Sequence, residues 1–286
     1  MTHPKLWLPS TTGEEWFQDI YRHVGHPLNV RHSELADLDY LVGADSFVEA
    51  VKLTATMDVA LRCVRQVKEL FDEFDRPSAD RVGRYLRSAG DLPPRLVGDR
   101  LFVERTLKTA EVARTKPRNK AIEASTYGKG RQTCYMCGEV VRLNGYDGKP
   151  YAIEHLWPQS LGGETTEENL LNACSDCNSK RMHQVTWATG PVHSTWLKSA
   201  QAIPDAKPTR KNRNVIPPED LVLSLALARL VTVANGQSDL NGGVSVSLKS
   251  AALLLGPLKR NVAFPPRSEG RRYTFFELMH TEENMA

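Results

Sequence analysis

Two C-x-x-C pairs, Cys134/Cys137 and Cys174/Cys177, constrain this chain more than any other feature of it. A C-x-x-C step makes a tight turn that aims two thiolates at one point, and a second pair completes a tetrahedron. Residues 138–173 lie between the pairs, a longer spacer than a compact zinc ribbon needs, which leaves room for a functional insert. Gly138, directly after Cys137, suits the turn of such a knuckle. Four sulfur ligands make a closed site with no vacancy for water, so the expected Zn2+ is structural. Thioredoxin-like redox chemistry is disfavoured, because neither pair sits in a strand-to-helix βαβ context. The fifth cysteine, Cys63, falls inside a helical pattern and reads as a small core residue.

Most of the chain outside this segment reads as helical. Trp16, Phe17, Ile20 and Tyr21 recur at helical spacing. The stretch Ser46–Phe74 opens on a capping-box pattern, Ser46 to Glu49, and carries Phe47, Val51, Ala55, Val59, Cys63, Val67 and Leu70 before Pro77. Shorter helices are predicted over Arg81–Arg87, Leu101–Arg114 and Val192–Ala200, and two apolar ones over Leu221–Ala234 and Val246–Leu258. The expected fold is therefore mainly α with a small α+β insert. A helical domain over residues 1–120 serves substrate or partner recognition, a zinc-stapled ββα-metal core spans 121–190, and a helical region with a basic linker and tail spans 191–286.

Charge decides less than pattern. Hydrophobic residues make up 41% and charged ones 25%, which argues against general disorder, and a net charge of +3 does not mark a nucleic-acid-coating protein. Any nucleic-acid contact must come from local patches. Arg100, Arg105, Lys108, Arg114, Lys116, Arg118 and Lys120 face only Glu104 and Glu111 in their stretch, and read either as a solvated helix face or as an arm for phosphates. The segment 121–190 itself holds six Lys/Arg against eight Asp/Glu, so its flanks would supply the phosphate attraction. The N-terminus lacks a secretory signal, and Leu221–Ala234, interrupted by Arg229, is too short and charged to span a bilayer. The expectation is a cytoplasmic protein with no membrane partner.

Within the insert, Tyr151–Glu154 reads as a short strand ending at the acid–histidine pair Glu154-His155, followed by Pro158, Ser160 and Gly162-Gly163. The Gly-Gly step predicts a flexible loop, Asn169–Ala173 a returning strand, and Cys177 or its neighbours the start of a helix capped near Ser175 or Asp176. This ordered set, with Asn178 and Lys180 after the second knuckle, resembles the HNH endonuclease family over about residues 134–183. The resemblance implies a ββα-metal fold. It implies His155 as the general base, Glu154 and Asn178 as oxygen ligands of a catalytic Mg2+ or Mn2+, and Asn169 as the residue that orients the histidine. The family usually has Asp where this chain has Glu154. His183 is a further candidate ligand, although on a helix of about 3.6 residues per turn it points roughly 140° away from Asn178. Trp157 and Leu156 read as packing residues, and Lys180 as either a phosphate contact or a solvated helix residue.

The function so implied is metal-dependent hydrolysis of phosphodiester bonds, with DNA the expected substrate. Two alternatives stand beside it: an RNA (tRNA) endonuclease of the same fold, and a non-catalytic zinc-stapled nucleic-acid-binding or adaptor module. Relatives with helical flanks are implied to work in phage, mobile-element or antiphage-defence (antiviral defence) settings, sometimes beside an ATPase. The chain shows no Walker-type phosphate loop, so ATP dependence would come from such a partner. The flanks are expected to dock that partner or to form a homo-oligomer.

Overall fold

A computed structural model describes residues 6–24, 44–88, 92, 94–115, 120–128, 130–143, 148–181, 218–236 and 238–261. Expectations for His183, for the helix at 192–200, and for most of the basic linker and tail lie outside the described residues, as do Lys116 and Arg118. The N-terminal helices are α1 (Thr12–Val24), α2 (Ala44–Glu73), α3 (Ala79–Ser88), α4 (Pro94–Gly98) and α5 (Arg100–Arg114). A short α6 (Lys120–Tyr127) leads into β1 (Gln132–Thr133), β2 (Val140–Arg142) and β3 (Lys149–His155). Then come β4 (Leu170–Cys174), α7 (Ser175–Arg181), α8 (Pro218–Ala234) and α9 (Leu248–Leu255). The fold is thus mainly α, with helices flanking a small ββα core. None of the described helices is long and apolar enough to cross a membrane.

Helix α2 buries Val59, Ala60, Cys63, Val64, Val67, Leu70 and Phe71, the spacing that turns one face inward. Burial pushes the Cys63 thiol up to about 12, so it stays a protonated core residue, as its pattern implied. Helix α1 adds Trp16, Phe17 and Ile20, all fully buried, and the Trp16 indole N–H donates to Thr106 Oγ1 on α5 at 2.8 Å. Glu14 is buried where α1 starts and accepts from the Trp7 indole N–H and from the backbone and side chains of Ser10 and Thr11. Burial outweighs those hydrogen bonds and raises its pKa.

The four strands form one sheet in the order β1-β2-β3-β4. The pairs β1/β2 and β3/β4 are antiparallel and β2/β3 parallel. The β3/β4 register runs from Tyr151 opposite Cys174 to His155 opposite Leu170. That hairpin followed by α7 is the expected ββα unit, with each strand slightly longer or shifted relative to its sequence reading. Helices α4 and α6 and strands β1 and β2 went unread in the sequence, being too short to carry periodicity.

The N-terminal helices and the sheet share one buried cluster. Trp157, two residues beyond β3, has its ring 5.8 Å from Trp7 and 5.1 Å from Phe17. The C-terminal part joins the same body: Leu8 N–H donates to Val246 O at 3.1 Å, and Val246 N–H to Ala234 O at 2.8 Å.

The expected phosphate arm is largely engaged within the molecule. Arg105 pairs with Asp19 and Glu15, Lys108 with Glu164 at 3.0 Å, Arg114 with Asp72 at 3.8 Å and Arg100 with Glu104 at 2.9 Å. The first three tie α5 to other elements. Neither a solvated face nor a phosphate arm describes these three residues, which are held by carboxylates elsewhere in the molecule.

Candidate active site and metal centre

The knuckles come together as their spacing demands. One sulfur from each of Cys134, Cys137, Cys174 and Cys177 lies within 4.8 Å of the others, and Cys137 Sγ is 3.9 Å from Cys174 Sγ. Zinc–sulfur bonds of about 2.3 Å place sulfurs of a tetrahedral site about 3.8 Å apart, so the cluster fits a zinc ion. The first knuckle closes through Gly138, whose N–H donates to Cys134 O at 2.8 Å and whose φ of 77° lies in the left-handed region. The second knuckle spans the β4–α7 junction, where Cys177 N–H donates to Cys174 Sγ at 3.4 Å. Hydrogen bonds from the Cys177 thiol and from nearby backbone N–H groups overcome burial and hold the Cys134 thiol below its usual pKa, which favours the metal-binding thiolate.

A distant part of the chain completes this centre. In the turn Leu258–Asn261, Leu258 N–H donates to Tyr135 O at 3.0 Å and Lys259 N–H to Met136 O at 2.7 Å. The Lys259 ammonium lies 3.5 Å from Cys177 Sγ, which offsets part of the negative charge of four thiolates. No local sequence signal linked residues 258–261 to a knuckle more than a hundred positions earlier; only the tertiary fold brings them together.

Strand β3 carries Glu154 and His155 as neighbours, and alternation sends their side chains to opposite sides. His155 turns towards the loop ahead of β4, its Nε2 lying 3.0 Å from Thr165 Oγ1. Burial lowers its pKa below the usual histidine value, so the ring is neutral at pH 7. Glu154 turns towards α7 and is 3% exposed. There it pairs with Arg181, itself 2% exposed, whose Nη1 also donates to His155 O at 2.7 Å and whose Nη2 donates to Leu156 O.

Asn169 is buried just before β4 and clamps the turn after the histidine. Its Oδ1 accepts from Trp157 N–H at 2.7 Å, and its Nδ2 donates to Trp157 O at 3.1 Å and Glu164 O at 3.0 Å. Leu156 N–H donates in turn to Asn169 O at 2.9 Å. Gly163 packs so closely beneath this turn that a Cβ there would lie 1.8 Å from Trp157 O. The Gly162-Gly163 step, read in the sequence as a flexible loop, is instead a tight packing contact. Replacing Asn169 with Ala strands the buried Trp157 N–H and C=O and is expected to cost about 1–3 kcal/mol for each one left unpaired. Chemical denaturation reads that loss, and a midpoint unchanged from wild type would contradict the clamp.

Asn178 is half-buried on α7, three residues before Arg181, and residues at that spacing share a helix face. A carboxylate and an amide oxygen are donors of the hard type that Mg2+ or Mn2+ accepts, although the charge of this carboxylate is already matched by a guanidinium. Lys180, next to Arg181, is exposed. Arg181 and Thr165 were missed in the sequence. Arg181 carried one usable signal, its i+3 spacing from Asn178.

A model of the HNH endonuclease family matches residues 134–184. The matched segment contains both knuckles, Glu154, His155, Asn169 and Asn178, and it supports a nuclease of the HNH type that binds nucleic acid. No curated protein and no solved structure matches the chain.

Proposed function

We propose that this protein is a metal-dependent endonuclease that hydrolyses phosphodiester bonds, in DNA rather than RNA, with His155 as the general base. The observation that carries the reading is the placement of His155 at the end of the strand that also carries Glu154, with Nε2 held 3.0 Å from Thr165 Oγ1 where burial lowers its pKa. In the tautomer whose Nε2–H donates to Thr165 Oγ1, Nδ1 keeps its lone pair for the proton of an attacking water. Asn169 is a positioning residue that fixes the backbone on the far side of His155. Glu154 and Asn178 are the residues that would hold the catalytic cation, and the four cysteines those that hold zinc. A bound divalent cation supplies neutralisation of the charge that develops on the phosphate and the leaving oxygen. The helical flanks serve substrate or partner selection.

The neutralised Glu154 is the observation that favours the alternative, a zinc-stapled binding module without catalysis. Purified protein incubated with supercoiled plasmid and with total RNA, in Mg2+, Mn2+ or EDTA, separates the two. Cleavage that needs the cation is the expected result, with plasmid the preferred substrate. Binding of nucleic acid without cleavage under every condition would leave the adaptor reading standing. RNA cut in preference to plasmid would overturn the choice of DNA.

A pH profile adds a second check. A base must be neutral to accept a proton, so kcat/KM at saturating Mg2+ is expected to be flat through neutral pH. It should fall only below an apparent pKa under 6.5, because burial lowers that of His155. An acid limb centred at or above 6.5 would contradict the assignment.

A further inference from the structure

We propose that Arg181 is a fixed counter-charge at the cation site, so that the divalent cation binds together with the nucleic-acid phosphate rather than before it. The proposal rests on the nuclease reading above and deepens it. Arg181 and Glu154 are both buried and paired. The guanidinium is also tied to two backbone carbonyls, His155 O and Leu156 O. It cannot swing aside for an incoming ion without leaving both carbonyls and its own charge without these partners in a dry interior. Arg181 therefore stays beside Glu154 when an ion arrives.

The charge of the ligand carboxylate is then cancelled within the protein. Glu154 is matched by Arg181, and Asn178 carries no charge. Two further carboxylates of the segment are also engaged: Glu164 with Lys108 at 3.0 Å and with Thr12 N–H at 2.8 Å, and Asp176 with Lys149 at 3.6 Å. Affinity for hard cations is tuned by the charge count of the ligands. An ion entering here meets a carboxylate whose charge is already matched, until a phosphodiester brings a further charge together with its own oxygen ligands. By linkage, the cation must then strengthen nucleic-acid binding by the same factor. This arrangement suppresses metal loading of the free protein.

Mn2+ binding, read by the loss of the free-ion electron paramagnetic resonance signal, tests this without recourse to activity. The zinc-loaded full chain would be titrated alone, with a short phosphorothioate DNA duplex, and with a phosphorothioate RNA oligonucleotide. The wild-type protein alone is expected to bind Mn2+ weakly, and the nucleic acid to tighten binding about ten-fold or more. Arg181→Met is expected to tighten Mn2+ binding in the absence of nucleic acid by a similar factor, whereas Arg181→Lys, which keeps the charge, should not. Glu154→Gln should abolish binding in both conditions and so assign the signal to this site. Wild-type protein that binds Mn2+ equally well with and without nucleic acid overturns the proposal even if Arg181→Met fails to fold, and leaves the nuclease reading intact. No Mn2+ binding under any condition sinks both.

Discussion

Cys174→Ser, or removal of the metal by a strong chelator, is expected to unfold the segment from β1 to α7. The reason is the small scale of everything else that holds it. Strands β1 and β2 span two and three residues, and α7 only seven, too few to be stable alone. A structural zinc contributes an apparent 10–16 kcal/mol or so in small zinc-bound domains, comparable to the roughly 5–15 kcal/mol that keeps a whole protein folded. Cys174 ends β4, and its loss breaks the tetrahedron at the β4–α7 junction. Elemental analysis should find one zinc per wild-type chain and none in Cys174→Ser. Hydrogen exchange should rise over residues 132–181, and also in the Leu258–Asn261 turn, whose N–H groups donate to Tyr135 and Met136. The N-terminal helices should keep their protection, because α1, α2 and α5 bury their own apolar faces against one another. A variant that retains both metal and exchange pattern would contradict this.

The second large effect is expected at the Glu154–Arg181 pair. Removing one partner of a buried ion pair leaves an uncompensated charge and costs about 3–5 kcal/mol, while replacing both with uncharged groups is often close to neutral. Arg181→Met should therefore be strongly destabilised, and Arg181→Met/Glu154→Gln should recover much of the loss. Recovery will be incomplete, because the His155 and Leu156 carbonyls still lose their donor. Urea denaturation of the two single variants and the double variant closes the cycle. Additive losses would mean that the two side chains do not interact energetically.

The sequence was most legible where chemistry and spacing are local. The knuckles declare themselves because two C-x-x-C pairs in one chain have the spacing of a single four-sulfur metal site, and the structure brings all four sulfurs together. The strand–turn–strand–helix order could be read from the short apolar runs around Glu154-His155 and from the turn residues between them. Asn169 was singled out, and the structure places it as a clamp on the turn after His155. What escaped were contacts that exist only once distant elements meet. Lys180 and Arg181 are adjacent cations with nothing local to rank them, yet helix phase exposes one and buries the other against β3. The basic residues of α5 resembled a phosphate arm because their partners, Asp19, Asp72 and Glu164, lie far away in the chain. Gly162-Gly163 looked like freedom and is close packing, since the same absence of a side chain serves either purpose.

The most direct test of the central claim is a single-turnover cleavage assay of His155→Ala beside wild type, in Mg2+ and in EDTA. Affinity for an uncleavable substrate and the melting curve would be measured on the same preparations. General-base catalysis contributes on the order of 10²–10⁴ in rate, so the variant should lose that much cleavage while binding and melting stay at wild-type values. Cation-dependent cleavage by His155→Ala at the wild-type rate would contradict the assignment of His155, and with it the proposed mechanism.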